Sequence, residues 1–163
     1  VEKKGKITRE GICLFRGINK LNLDAKGRMA VPTRFRERLQ SCCASQLVIT
    51  ADPQRCLLIY PFPDWQEVER MLMKLPSFNK PARLLQRMMV GNATEVEMDS
   101  QGRVLVPPPL RDYAGLDRQA VLIGQGNKFE LWDEAGWNDQ IDEYQGIDLE
   151  QLELPPGFEN LSI

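Results

Sequence analysis

The sequence predicts a β-rich α+β fold in which one structural unit occurs twice, and three observations carry that expectation. Leu23-Asp24-Ala25-Lys26-Gly27-Arg28-Met29-Ala30-Val31-Pro32 aligns with Met98-Asp99-Ser100-Gln101-Gly102-Arg103-Val104-Leu105-Val106-Pro107 at an offset of 75 residues. Each copy places a glycine, Gly27 or Gly102, between two short apolar runs, where a chain reversal calls for positive φ. Each copy then continues into two further apolar runs joined by turn residues, the mark of a hairpin.

Taken in order, each unit reads as a strand, a tight glycine turn, a short strand, a brief helix and a hairpin. Met29-Ala30-Val31 and Val104-Leu105-Val106 are the short strands after the turn. Pro32 and Pro107 fit the first turn of a helix, where a missing N–H costs nothing, and Phe35 and Leu39 fall four apart on its buried face. Gly115 is placed to end the second helix. The first hairpin runs Leu47-Val48-Ile49-Thr50, turns at Asp52-Pro53 and returns as Leu57-Leu58-Ile59-Tyr60. The second runs Ala120 to Ile123, turns through Gly124-Gln125-Gly126-Asn127 and returns as Phe129 to Trp132. Tyr60 and Trp65 correspond to Trp132 and Trp137 at an offset near 72.

Between the units, Trp65, Val68, Met71 and Leu72, then Leu84, Leu85, Met88 and Met89, recur at helical spacing around Pro76-Ser77, giving two linking helices with ordinary core faces. The expected organisation is an unstructured extension over residues 1–13, a first repeat over 18–64, a helical linker over 65–92, a second repeat over 93–136 and an acidic tail over 137–163.

At 163 residues and 42% hydrophobic content the chain can build a core. Its net charge of −2 conceals a gradient: residues 1–40 carry +7 and residues 131–163 carry −9 with no basic residue. Leaving out residues 1–13, the basic end still carries +5 up to residue 40. Such asymmetry suits a basic face for a polyanion, with an acidic segment kept apart from it. The plain alternative is charge solvated on an ordinary surface.

Histidine is absent, which removes Ser-His-Asp and Cys-His catalysis and His-ligated zinc. Cys13, Cys42, Cys43 and Cys56 show no C-x-x-C spacing and read as reduced thiols of a cytosolic protein. Neither a membrane span nor an export signal is indicated. No catalytic residue, metal ligand or cofactor motif is found.

The repeated D-x-x-G-R is the element with chemistry to offer. An Asp ahead of a glycine turn can accept backbone N–H bonds or pair with the Arg four residues on, which would fix the loop and aim the guanidinium outward. A guanidinium held that way can grip phosphate or bond guanine bidentately in the major groove, which also admits a two-stranded ribbon. A single such motif is more simply a surface ion pair worth about 0–1 kcal/mol. Two in register, the first flanked by Arg16, Lys20, Lys26, Arg34, Arg36 and Arg38, favour a binding role. Lys26 gives way to Gln101 in the second copy, so the first tip is expected to dominate.

Leu14-Phe15-Arg16-Gly17, Asn22 to Arg28, Val31 to Arg36, and Gly126 to Asp133 together resemble the MraZ family over roughly Leu14 to Trp137. That resemblance implies a double-split, swapped-hairpin β-barrel made of two AbrB/MazE-like repeats, capped and linked by helices. It implies a cytoplasmic, nucleoid-associated bacterial transcriptional regulator of the division and cell-wall gene cluster, including its own promoter. It further implies a ring-shaped, often octameric homo-oligomer that binds tandem G-rich direct repeats in double-stranded DNA. By position, the family's DNA-contacting motif falls on Lys26, Gly27 and Arg28 with Arg16 and Arg103, while Asp24, Asp99 and Gly102 structure the loops. No small-molecule substrate is implied. A competing reading is an antitoxin-like or scaffolding module that binds protein through the apolar residues of the C-terminal segment.

Overall fold

The structure, a computed structural model, describes residues 13–158. The first repeat forms β1 (Phe15–Asn22), β2 (Arg28–Ala30), α1 (Thr33–Cys43), β3 (Gln46–Ala51) and β4 (Leu57–Pro61), followed by α2 (Phe62–Met73) and α3 (Lys80–Met89). The second forms β5 (Thr94–Glu97), β6 (Arg103–Leu105), α4 (Pro108–Tyr113), β7 (Gln119–Gly126), β8 (Phe129–Asp133) and α5 (Glu134–Gln145). Apart from Cys13, the extension expected over residues 1–13 lies outside the described residues, as do residues 159–163.

Pro32 and Pro107 stand one residue ahead of their helices, with ψ of 137° and 138°, so the fixed proline φ swings an extended chain into α1 and α4. The second hairpin turns at Asn127-Lys128, two residues later than the glycines suggest, because Gly124 and Gly126 remain inside β7 paired with Phe129 and Phe15. There a Cβ on Gly124 would collide with the backbone of Arg16.

A six-stranded antiparallel sheet runs β1-β7-β8-β4-β3-β5, and β2 pairs antiparallel with β6 in a separate ribbon. Exchanging each strand for its counterpart in the other repeat maps this order onto itself: β1–β7 becomes β5–β3, while β4–β8 and β2–β6 map onto themselves. Beyond its own hairpins, every strand therefore pairs across the repeat boundary. The aromatic pairs repeat as well. Tyr60 meets Trp65 at 5.6 Å and 53°, and Trp132 meets Trp137 at 5.9 Å and 55°.

Strand alternation divides the interior in two. Leu47, Ile49, Leu57 and Ile59 face the main core with Met29, Val31, Val104 and Val106, while Val48, Leu58 and Tyr60 face Trp65 and Leu72 of α2. Helix α3 closes this second layer with Leu85 and Met89, and Thr50 donates its hydroxyl to the Met89 carbonyl.

At the centre of the main core Phe129 of the second repeat lies 4.4 Å from Phe15 and 5.1 Å from Phe35, both of the first. The cysteine reading requires correction. Cys13 and Cys42 are joined as a disulfide across a Cα–Cα distance of 6.3 Å, because the start of β1 lies against the end of α1, a proximity that chain spacing does not encode. Cys43 and Cys56 are free and buried, and burial pushes both thiols upward in pKa. Because Phe129 unites the two repeats, Phe129→Ala is expected to cost about 3–5 kcal/mol in chemical denaturation, in one cooperative transition rather than two.

Candidate nucleic-acid interface

Each D-x-x-G-R segment closes on its own aspartate. Asp24 Oδ1 accepts the backbone N–H groups of Lys26 and Arg28, both at 2.9 Å, and Oδ2 accepts Arg28 Nε at 2.8 Å. The main chain seals the loop, Asp24 donating to the Arg28 carbonyl and Gly27 to the Asp24 carbonyl, each at 2.9 Å. Gly27 supplies the reversal at φ 85°. The second loop repeats this bond for bond: Asp99 accepts from the N–H groups of Gln101 and Arg103 and from Arg103 Nε at 3.1 Å, with Gly102 at φ 77°.

These bonds hold the carboxylates ionised. The Arg28 backbone N–H is the main cause that pulls Asp24 down to about 2, with the Arg28 side chain and the Lys26 N–H adding to it and partial desolvation opposing. Asp99 is lowered in the same way, first by the Arg103 N–H. Each arginine is thus fixed at Nε while its two terminal nitrogens have no bond among the described residues, and about a third of the side chain is exposed (28% for Arg28, 33% for Arg103).

The ribbon brings both tips onto one face. Met29 and Val104 point into the core, so Arg28 and Arg103 share the outer side with Ala30 and Leu105. Arg28 pairs with Leu105 and Arg103 with Ala30, which makes the two arginines diagonal neighbours roughly 7–8 Å apart. Bonds from Val31 N to the Gly102 carbonyl (2.8 Å) and from Val106 N to the Gly27 carbonyl (3.0 Å) tie each loop to the other repeat. Lys26 is exposed at the first tip.

The other basic residues divide. Arg16 is exposed near the start of β1, six residues before Asn22 and so about 20 Å along the strand from the first tip. Arg34 lies across Gly17, donates to Asn19 Oδ1 at 2.7 Å and covers the Phe35 ring, while Arg38 donates to the Leu14 carbonyl and covers Phe15. Those two fasten β1 to α1. What sequence reading misses is the place of two arginines: Arg111 of α4, whose guanidinium lies over Gly27, and Arg36 of α1, expected beside the first tip, which lies over Gly102 of the second. Their equivalent places in the repeat are legible, but the crossing of each to the opposite turn is not.

No cluster that could hold a metal ion occurs among the described residues, and no helix there is long and apolar enough to cross a membrane. The profile of the family described as "MraZ protein, putative antitoxin-like" matches residues 14–88 and again 89–153, a double match that coincides with the internal symmetry. The chain belongs to the MraZ family. It is 54% identical to the transcriptional regulator MraZ of Thioalkalivibrio sulfidiphilus over 92% of the chain and 100% of the relative. Identity to the MraZ of Halorhodospira halophila is 51% over the same shares, and to that of Pseudomonas aeruginosa 48% over 89% and 94%. Membership of this family of regulators makes the chain a DNA-binding, non-enzymatic protein.

A carboxyl with a lowered folded-state pKa contributes stability above its ordinary value and loses that contribution as pH falls through the folded value. The first tip is therefore expected to persist below pH 3.8 and loosen only as pH falls through about 2. Carboxyl NMR titration of Asp24 should locate that midpoint, and Arg28→Ala should raise it only in part, because the backbone donors remain.

Proposed function

We propose that this chain is a sequence-specific, double-stranded-DNA-binding transcriptional regulator of the bacterial division and cell-wall gene cluster, its own promoter included. The observation that carries the reading is the pair of preorganised arginines, Arg28 and Arg103, on one outward face of a two-stranded ribbon. A ribbon of this width enters the major groove, and arginines fixed at Nε keep their terminal nitrogens for guanine O6 and N7. Little side-chain entropy remains to be lost on binding. Lys26 adds a phosphate contact to the first tip. Arg16 and Lys20, exposed along β1, meet the DNA backbone rather than bases.

Copies of the chain arranged as a ring, an octamer in the family pattern, present identical tips related by rotation. That arrangement matches tandem direct repeats, whereas a two-fold dimer matches palindromes. The double-split barrel follows from the same reading, with the β2–β6 ribbon bridging the ends of the six-stranded sheet. Each tip binds weakly alone, and tethering several raises affinity by ~10²-fold or more. Working in the cytoplasm on the nucleoid, such a protein needs no cofactor and no small-molecule substrate.

The antitoxin-like reading rests on the family description and on exposed Leu152, Leu154 and Phe158 in the C-terminal segment. Stoichiometric co-purification of a toxin-like protein would favour it. Footprinting on the DNA upstream of the chain's own gene, with solution mass measured alongside, tests the regulator reading. Arg28→Ala is expected to cost roughly 1–3 kcal/mol per base contact in gel-shift affinity and to relax the sequence preference. Unchanged affinity would refute the assignment. Binding should fall linearly on a log–log plot against salt, and Lys26→Glu should weaken all sequences alike and flatten that slope.

A further inference from the structure

Two clefts related by the internal symmetry lie where a helix arginine crosses to the opposite repeat's glycine turn. One is bordered by Asp24, Ala25 and Gly27 of the first tip and by Arg111, Asp117 and Arg118 of the second repeat. The other is bordered by Asp99, Ser100 and Gly102 of the second tip and by Arg36, Glu37 and Glu97. In each, the arginine donates Nε to a carbonyl of its own repeat, Arg111 to Val106 at 3.0 Å and Arg36 to Val31 at 2.7 Å. Its guanidinium lies flat over the glycine of the other repeat, in space that any Cβ would fill.

The clefts differ in charge. Asp24 and Asp99 are already neutralised by Arg28 and Arg103. The first cleft then holds Arg111 and Arg118 against Asp117, with Lys26 on the adjoining loop, and none of these side chains has an ion-pair partner among the described residues. The second holds Arg36 against Glu37 and Glu97. One is net positive and the other net negative, although the backbone frames are the same.

We propose that the first cleft is a seat for a DNA backbone phosphate, built from both repeats, with Arg111 and Arg118 as its donors, and that the second cleft is not. This rests on the reading that the tips bind DNA, and it assigns to the first tip a sequence-independent contact beside its base-reading arginine. The Arg111 Nε bond aims the terminal nitrogens along the Gly27 turn. The Leu23 N–H bond to the Arg118 carbonyl, at 2.7 Å, fixes Arg118 to the root of the same loop. A duplex strand following the ribbon would then run from Lys26 to Arg111 without leaving positive potential.

The test uses the full chain and two duplexes of about 30 base pairs, one from the DNA upstream of its own gene and one of random sequence, with affinity measured against salt. Arg111→Gln and Arg118→Gln should each weaken binding to both duplexes by a similar factor, roughly 5- to 10-fold, and reduce the salt slope by about one per engaged protomer. Arg36→Gln should leave the slope unchanged. Arg111→Lys, which keeps the charge but loses the Nε bond, should retain the slope. If Arg111 only braced the fold, Lys and Gln would lower affinity equally, and that result overturns the proposal, as does a wild-type slope in Arg118→Gln, a substitution at an exposed residue. Normal binding by Arg111→Gln with loss in Arg28→Ala sinks the phosphate seat alone. Normal sequence-specific binding by Arg28→Ala sinks the tip reading instead.

Discussion

The hydrogen bonds of β2 with β6 hold together everything that the exposed loops present. Three residues on each side pair in this ribbon, and the flanking bonds from Val31 to Gly102 and from Val106 to Gly27 extend it into both turns. Among the described residues neither short strand has another full strand partner, so neither loop has a fixed base unless both repeats are folded. Met29 and Val104 anchor the ribbon in the core from beneath, which leaves its upper face free for charge.

Cross-repeat pairing also explains why the loops need their internal bonds. A hairpin tip at the end of a three-residue strand gets little support from the sheet. The Asp24 and Asp99 carboxylates supply it by accepting two N–H groups and one guanidinium each. The same three bonds that make the turn rigid set the arginine's direction. Loop rigidity and the arginine's direction thus rest on one carboxylate, and an exposed Asp–Arg pair, ordinarily worth little for stability, matters here through orientation.

The symmetry is of backbone more than of charge. Both loops, both aromatic strand–helix pairs and both crossing arginines recur with matching geometry, yet Lys26 is replaced by Gln101, and Arg118, whose carbonyl holds the Leu23 N–H, stands where the other cleft has Ser45, whose carbonyl holds the Met98 N–H. A duplicated frame with unequal charges thus gives one positive and one negative cleft, each framed by residues of both repeats. Arg34 and Arg38 illustrate the opposite fate of basic residues, since their guanidiniums cover aromatic rings and fasten β1 to the first helix.

The duplication, the glycine turns, the short strands, the helices and the Asp–Arg pairing are all readable from the amino-acid order, because each depends on residues within about five positions of one another or on a repeat that alignment exposes. Gly27 and Gly102 announce positive φ by themselves, and the spacing of Asp24 and Arg28 announces their bond. The meeting of Arg28 with Arg103, the crossing of Arg111 over Gly27, the remoteness of Arg16 from the tip and the joining of Cys13 to Cys42 belong to the folded chain alone. Each relates segments whose separation in space follows from strand order across the repeats, and local periodicity carries no record of that order.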